Sequence, residues 1–117
     1  MAEPALTPDL AVQYLGELST DIKASVLVSA DGRTAATSRP GEAGDELRDL
    51  TVELFEQADA ADAEPVSQVE ISTGDGAVFA LRNERWTLAV VTGRFALSSL
   101  MFYDLRSVLG DLEAKAA

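Results

Sequence analysis

"AVFALRNERWTLAVV", Ala77 to Val91, decides how this chain folds. Ala77 to Leu81 and Trp86 to Val91 are short and apolar at nearly every position, with Asn83-Glu84-Arg85 as a turn between them. A strand with one wet face alternates polar and apolar residues. A strand apolar throughout is covered on both faces. The stretch therefore predicts two antiparallel strands at the centre of a sheet, with helices above and below it.

The neighbouring segments extend this picture. In Val66 to Thr73, Val69 and Ile71 alternate with Gln68, Glu70 and Ser72, which predicts a strand with one buried and one wet face. Gly74-Asp75-Gly76 turns from it into the central pair. Further upstream, "VLVSADGRTAATS", Val26 to Ser38, is a hairpin around Asp31-Gly32, and its second strand carries only small residues.

Three helices complete the chain. Thr7-Pro8-Asp9 is a helix start: an N-cap hydroxyl, proline in the first turn, then an acid. The first helix is expected from Pro8 to Thr20, with Leu10, Ala11, Tyr14, Leu15, Leu18 and Ile22 as its apolar stripe. After the breakers Pro40, Gly41 and Gly44, Asp45 is expected to cap a second helix over 46–61. Its stripe is Leu47, Leu50, Thr51, Leu54, Phe55 and Ala58, with Asp49, Glu53 and Glu56 facing away. Val52 lies about 140° from the centre of that stripe at about 100° per residue, with Phe55 between. The wide flank is either a stray exposed valine or a second contact. The third helix is expected over 96–114 on Leu97, Leu100, Met101, Leu105, Val108 and Leu112, widened by Phe102 and Leu109.

Composition limits the chemistry. The 117 residues suffice for one domain, expected over 7–117 behind a frayed tail at 1–6, and 47% are hydrophobic. No stretch reaches the length of a membrane span or a signal peptide, so the chain is expected to be cytoplasmic. The absence of cysteine rules out disulfides and thiolate metal sites, and the absence of histidine removes the commonest acid–base group. Nine basic against twenty acidic residues, a net charge of −11, argue against nucleic acid and anionic membrane as partners. "STGDGA" at 72–77 joins two strands, whereas a dinucleotide site needs a strand-to-helix glycine turn. Asp59, Asp62 and Glu64 lack the glycine turn and ligand ladder of a calcium loop and read as a solvated helix end. Arg39, Arg82, Arg85 and Arg94 read as solvated surface residues. Nothing predicts catalysis, a cofactor or a metal.

The element order αββαβββα, with "ASVLVSADGRTAATS", "AVFALRN", "WTLAVVT" and "ALSSLMFYDLRSVLGDL", resembles the Roadblock/dynein-light-chain family. Within it, the small bacterial members that accompany Ras-like GTPases are the nearer likeness. The resemblance runs from about Asp9 to Leu112. It implies an α+β, profilin-like fold: a five-stranded antiparallel sheet of order 2-1-5-4-3, the first and last helices on one face and the middle helix on the other. The small second strand would then be an outer edge that buries little.

The resemblance also implies a homodimer joined through the middle helix and the third strand, which removes an exposed sheet edge. On this chain that seam falls on Val52, Phe55 and Asp59 of the helix and Val66, Gln68, Val69, Glu70 and Ile71 of the strand. The partner platform falls on Asp49, Glu53 and Glu56, and the partner would be a small Ras-like GTPase. The competing expectations are a ligand-sensing module, which needs polar groups converging in a pocket, and a scaffold with no nucleotide-dependent partner.

Overall fold

A computed structural model describes residues 7–61, 66–72, 74–94 and 96–116, the side chains of 113–116 excepted. The tail at 1–6 and the acids Asp62 and Glu64 lie outside the described residues. The elements are α1 (Pro8–Leu18), β1 (Ile22–Ser29), β2 (Thr34–Thr37), α2 (Glu42–Ala61), β3 (Gln68–Ser72), β4 (Gly76–Arg82), β5 (Trp86–Gly93) and α3 (Ser98–Ala116). All neighbouring strands are antiparallel, in the order β2-β1-β5-β4-β3, as expected.

The central strands are apolar on both faces because each face carries its own core. Leu27, Phe79, Leu81, Leu88 and Val90 join Ala11 and Leu15 of α1 and Met101, Phe102, Leu105 and Val108 of α3. The residues between them, Val26, Val28, Ala80 and Ala89, join Leu47 and Phe55 of α2 on the other face. Strand alternation thus sends large side chains to the two-helix layer and smaller ones beneath the single helix. Phe79 meets Phe102 edge-on at 5.4 Å between ring centroids.

Local chemistry sets the boundaries. Thr7 caps α1, its Oγ1 accepting from the Leu10 N–H at 3.2 Å. Gly32 has φ +85°, and the Asp31 carboxylate accepts the Ser29 hydroxyl and the Arg33 N–H at 3.2 Å. Those bonds hold the Asp31 carboxyl below its ordinary pKa, the Ser29 hydroxyl most strongly. The β4–β5 turn closes on Asn83, whose Oδ1 accepts the N–H groups of Arg85 and Trp86, each at 2.9 Å.

Several boundaries and faces differ from expectation. Ile22 belongs to β1, which starts well before Val26, and α1 stops at Leu18. Only Ala11, Val12 and Leu15 of α1 are buried; Leu10, Tyr14 and Leu18 are exposed, so the helix is seated further round than its stripe suggested. Likewise Leu97 and Leu100 stand 68% and 58% exposed. The second helix begins at Glu42, which puts Asp45 inside its first turn. Gly41 at φ +87° turns the chain into it, and Gly44 packs against the Arg39 carbonyl. The outer strand β2 buries little, as expected, with Ala36 its one buried residue. Ala36 is buried with the α1 core, and the Thr37 hydroxyl donates to the Ser25 carbonyl at 3.1 Å.

Candidate partner surface

Helix α2 crosses the strands of the sheet. Its first turn lies against Thr37 at the end of β2 and Arg39 just after it. Its last turn is bound by Asp59 to Val66, just before β3, and to Arg82 at the end of β4. The Asp59 Oδ1 accepts the Val66 N–H at 3.0 Å and pairs with the Arg82 guanidinium, while Arg82 Nε donates to the Val66 carbonyl at 2.7 Å. The guanidinium also lies 4.4 Å over the Phe55 ring. The Val66 N–H first, and then Arg82, hold the Asp59 carboxyl below its ordinary range. Arg82 is therefore a structural clamp and not the solvated arginine expected. Its partner is 23 residues away in sequence, a pairing that no local pattern signals.

Because α2 crosses the strands, its two flanks face opposite ends of the sheet. Val52 and Glu56 border a cleft of about 250 Å³ against Val28, Thr87 and Arg82 at one end. Leu50 sits about 200° round the helix from Val52 and so faces the other end. There the register lines up Ala24, Val91, Val78 and Ile71 across four strands. All four keep solvent exposure, Ile71 37%. Leu50 is 43% exposed beside this row, with half-buried Leu54 one turn on. One helix is too narrow to cover a five-stranded sheet: Ala24 and Val91 are partly buried against the α2 core, and the row opens outward through half-buried Val78 to exposed Ile71.

The residues expected to form the seam are thus placed differently from one another. Val69 and Ile71 lie on the α2 face of β3, the outer strand, beside this row. Gln68 and Glu70 point to the opposite face, where Gln68 Oε1 accepts from Arg106 at 3.4 Å and Glu70 accepts the Ser98 hydroxyl at 2.8 Å. Phe55 is 3% exposed within the chain's own core, Val52 packs on that core from the cleft side, and Asp59 and Val66 are held by Arg82. Leu50, Leu54 and Val78 were not singled out as seam residues. The spacing Leu47-Leu50-Leu54 is their sequence signal, but it reads equally as the core stripe.

The acidic residues of α2 do share an outward face. Asp49, Glu53 and Glu56 are all exposed. Arg48, the cation on this helix, is held between Asp45 at 3.4 Å and Asp49 at 3.1 Å. Glu53 accepts from Gln57 at 3.2 Å. The ridge presents net negative charge with little internal compensation.

Comparison with solved structures places the fold among the profilin-like α+β sandwiches. The chain is similar to a Roadblock/LC7 domain from Streptomyces avermitilis, with 20% identity, a TM-score of 0.84 and coverage of 94% of this chain and 98% of that one. It is similar to Myxococcus xanthus MglB at 10% identity and a TM-score of 0.62, covering 90% of this chain and 87% of that one. Acanthamoeba castellanii profilin II shares the architecture at 16% identity and a TM-score of 0.61, covering 95% of this chain and all 100% of that one. The class defined is the Roadblock/LC7-type, profilin-like fold, as the sequence resemblance implied. No family model matches the sequence, and no curated protein is significantly similar to it. Among the described residues no helix is long and apolar enough to cross a membrane.

Proposed function

We infer that this chain is a non-catalytic, dimeric regulator or adaptor of a small Ras-like GTPase, acting in the cytoplasm. Two copies join along α2 and β3, and the acidic outer face of the paired α2 helices receives a basic patch on the GTPase. The Roadblock resemblance supports the partner class. The half-covered sheet face supports the dimer and carries the reading: an apolar row beside exposed Leu50, opening outward to Ile71 on an edge strand.

Symmetry explains why the outer end of that row is left open. A two-fold axis normal to the sheet at β3 pairs the two edge strands antiparallel. It also turns the partner's α2 towards the opposite end of its own sheet. The flank of α2 that meets its mate is then the one bearing Leu50 and Leu54, and the mate closes the open row around Val78 and Ile71. Val52 and Phe55 support the helix from behind, and Asp59 fixes its angle through Arg82. Asp49, Glu53 and Glu56 stay outward on both copies, which doubles the field that steers a basic partner.

Light scattering tests the seam. The wild-type chain is expected at twice the chain mass. Leu50→Glu with Ile71→Lys is expected at the chain mass, and Val52→Lys, on the other flank, remains dimeric. A monomeric wild type at tens of micromolar overturns the seam. For the partner, affinity capture with GTPγS- and GDP-loaded lysate is expected to retain a small GTPase in one nucleotide state. Glu53→Lys with Glu56→Lys slows its association, and an unchanged on-rate overturns the acidic platform.

A further inference from the structure

Eight large apolar side chains are exposed among the described residues, and only Leu50 and Ile71 lie on the α2 side. The other six are Leu10, Tyr14 and Leu18 on α1, Leu97 just before α3, and Leu100 and Tyr103 on α3. They form two rows. Residues 10, 14 and 18 recur every fourth position and stay within about 80° on α1, while 97, 100 and 103 recur every third, a row that starts just before α3 and winds about 120° round its first turns. The rows converge where the end of α1 meets the start of α3. Leu18, Leu97, Leu100 and Met101 line a cleft of about 190 Å³ there, together with Asp21 and Asp104. Among the described residues no Lys or Arg lines it.

We propose that this α1–α3 groove docks a basic amphipathic helix of a partner protein. An apolar cleft at the meeting point of two exposed helix rows, with Leu18 on one side and Leu97 and Leu100 on the other, is a shape that the apolar face of a third helix packs into. The α1 row spans about 12 Å at about 1.5 Å per residue, which suits a partner helix of two to three turns. Its apolar face would lie between Leu18 and Leu100. A Lys or Arg on its flank would reach Asp21 and Asp104, beside which no cation lines the cleft among the described residues.

Charge selects this occupant over the alternatives. A second copy docking by the same face brings Asp21 and Asp104 against carboxylates of its own kind, on chains that each carry −11. An anionic membrane surface meets the same repulsion. The groove lies on the face of the sheet away from α2, so its occupancy is independent of the GTPase reading.

The test titrates synthetic amphipathic peptides of about four helical turns into the full ¹⁵N-labelled chain. All share a leucine face, and the polar face is lysine, glutamine or glutamate. The lysine peptide is expected to bind, more weakly at high salt, and to shift amides over 18–21 and 96–104. Leu18→Ser with Leu100→Ser, both exposed positions, is expected to weaken it at least about tenfold with an unchanged melting curve. Asp104→Asn is expected to flatten the salt dependence, and Glu53→Lys with Glu56→Lys to leave binding intact. Equal binding of the lysine and glutamate peptides, shifts confined to α2, or undiminished affinity in the leucine variant overturns the proposal. So does a fall in solution mass in that variant, which would assign the groove to self-association.

Discussion

Gly16 and Gly44 both lie inside helices, so replacing each with alanine separates helix propensity from tertiary contact. A Cβ at Gly16 meets nothing within 4 Å. There the substitution only reduces backbone freedom in the unfolded chain, and it is expected to stabilise by about 0.5–1 kcal/mol. A Cβ at Gly44 would lie 2.0 Å from the Arg39 carbonyl oxygen and 3.0 Å from Thr37 Oγ1. Ordinary contact is about 3.5 Å, so the first turn of α2 must move by about 1.5 Å or the Arg39 loop must yield. The severe overlap is with the Arg39 backbone, so no flexible side chain can absorb it. The expected net cost is about 2–3 kcal/mol, a large share of the roughly 5–15 kcal/mol that holds a domain of this size. Urea unfolding at 25 °C measures both variants, and thermal melts should show Gly44→Ala lower by about 10 °C. Because α2 carries the inferred seam, the same variant should also dimerise more weakly. A Gly44→Ala protein within about 0.5 kcal/mol of wild type would refute the claim that close backbone approach sets the start of α2.

Three further outcomes follow from the same geometry. Gly76→Ala drives a Cβ to 2.1 Å from the Thr92 carbonyl oxygen, and it is expected to destabilise by about 2–3 kcal/mol in urea titration although the residue reads as an ordinary turn glycine. Phe79→Ala removes a fully buried ring and its edge-on contact with Phe102, and is expected to cost about 3–5 kcal/mol by the same measurement. Asp59→Asn is expected to be less stable than wild type at pH 7. The folded-state pKa of Asp59 is depressed, so its contribution is present above the unfolded value and is lost as pH falls through the folded one. The gap between the two proteins should therefore close below about pH 4, as urea midpoints at pH 7, 4 and 3 would show.

The sequence alone determined the architecture of this protein, because burial leaves a periodic mark. Strands apolar on both faces had to be central, and the alternation at Val69 and Ile71 marked a further strand, although the face it was expected to bury is only half-buried at Val69 and exposed at Ile71. Thr7-Pro8-Asp9 fixed the start of α1 because a cap is a local interaction, complete within four residues. The acidic outer face of α2 was legible for the same reason. Only the tertiary structure decided which way each helix is turned. Leu10, Tyr14, Leu18, Leu50, Leu97 and Leu100 all fit an apolar stripe by spacing, yet all face solvent. A stripe wider than its seat does not say which of its edges will be covered. Nor could spacing pair Asp59 with Arg82, bring Gly44 against Arg39 or leave the outer end of the Ala24–Val91–Val78–Ile71 row open. Each joins parts of the chain that meet only when the strands take their places beneath the helices, and it is there that the candidate surfaces lie.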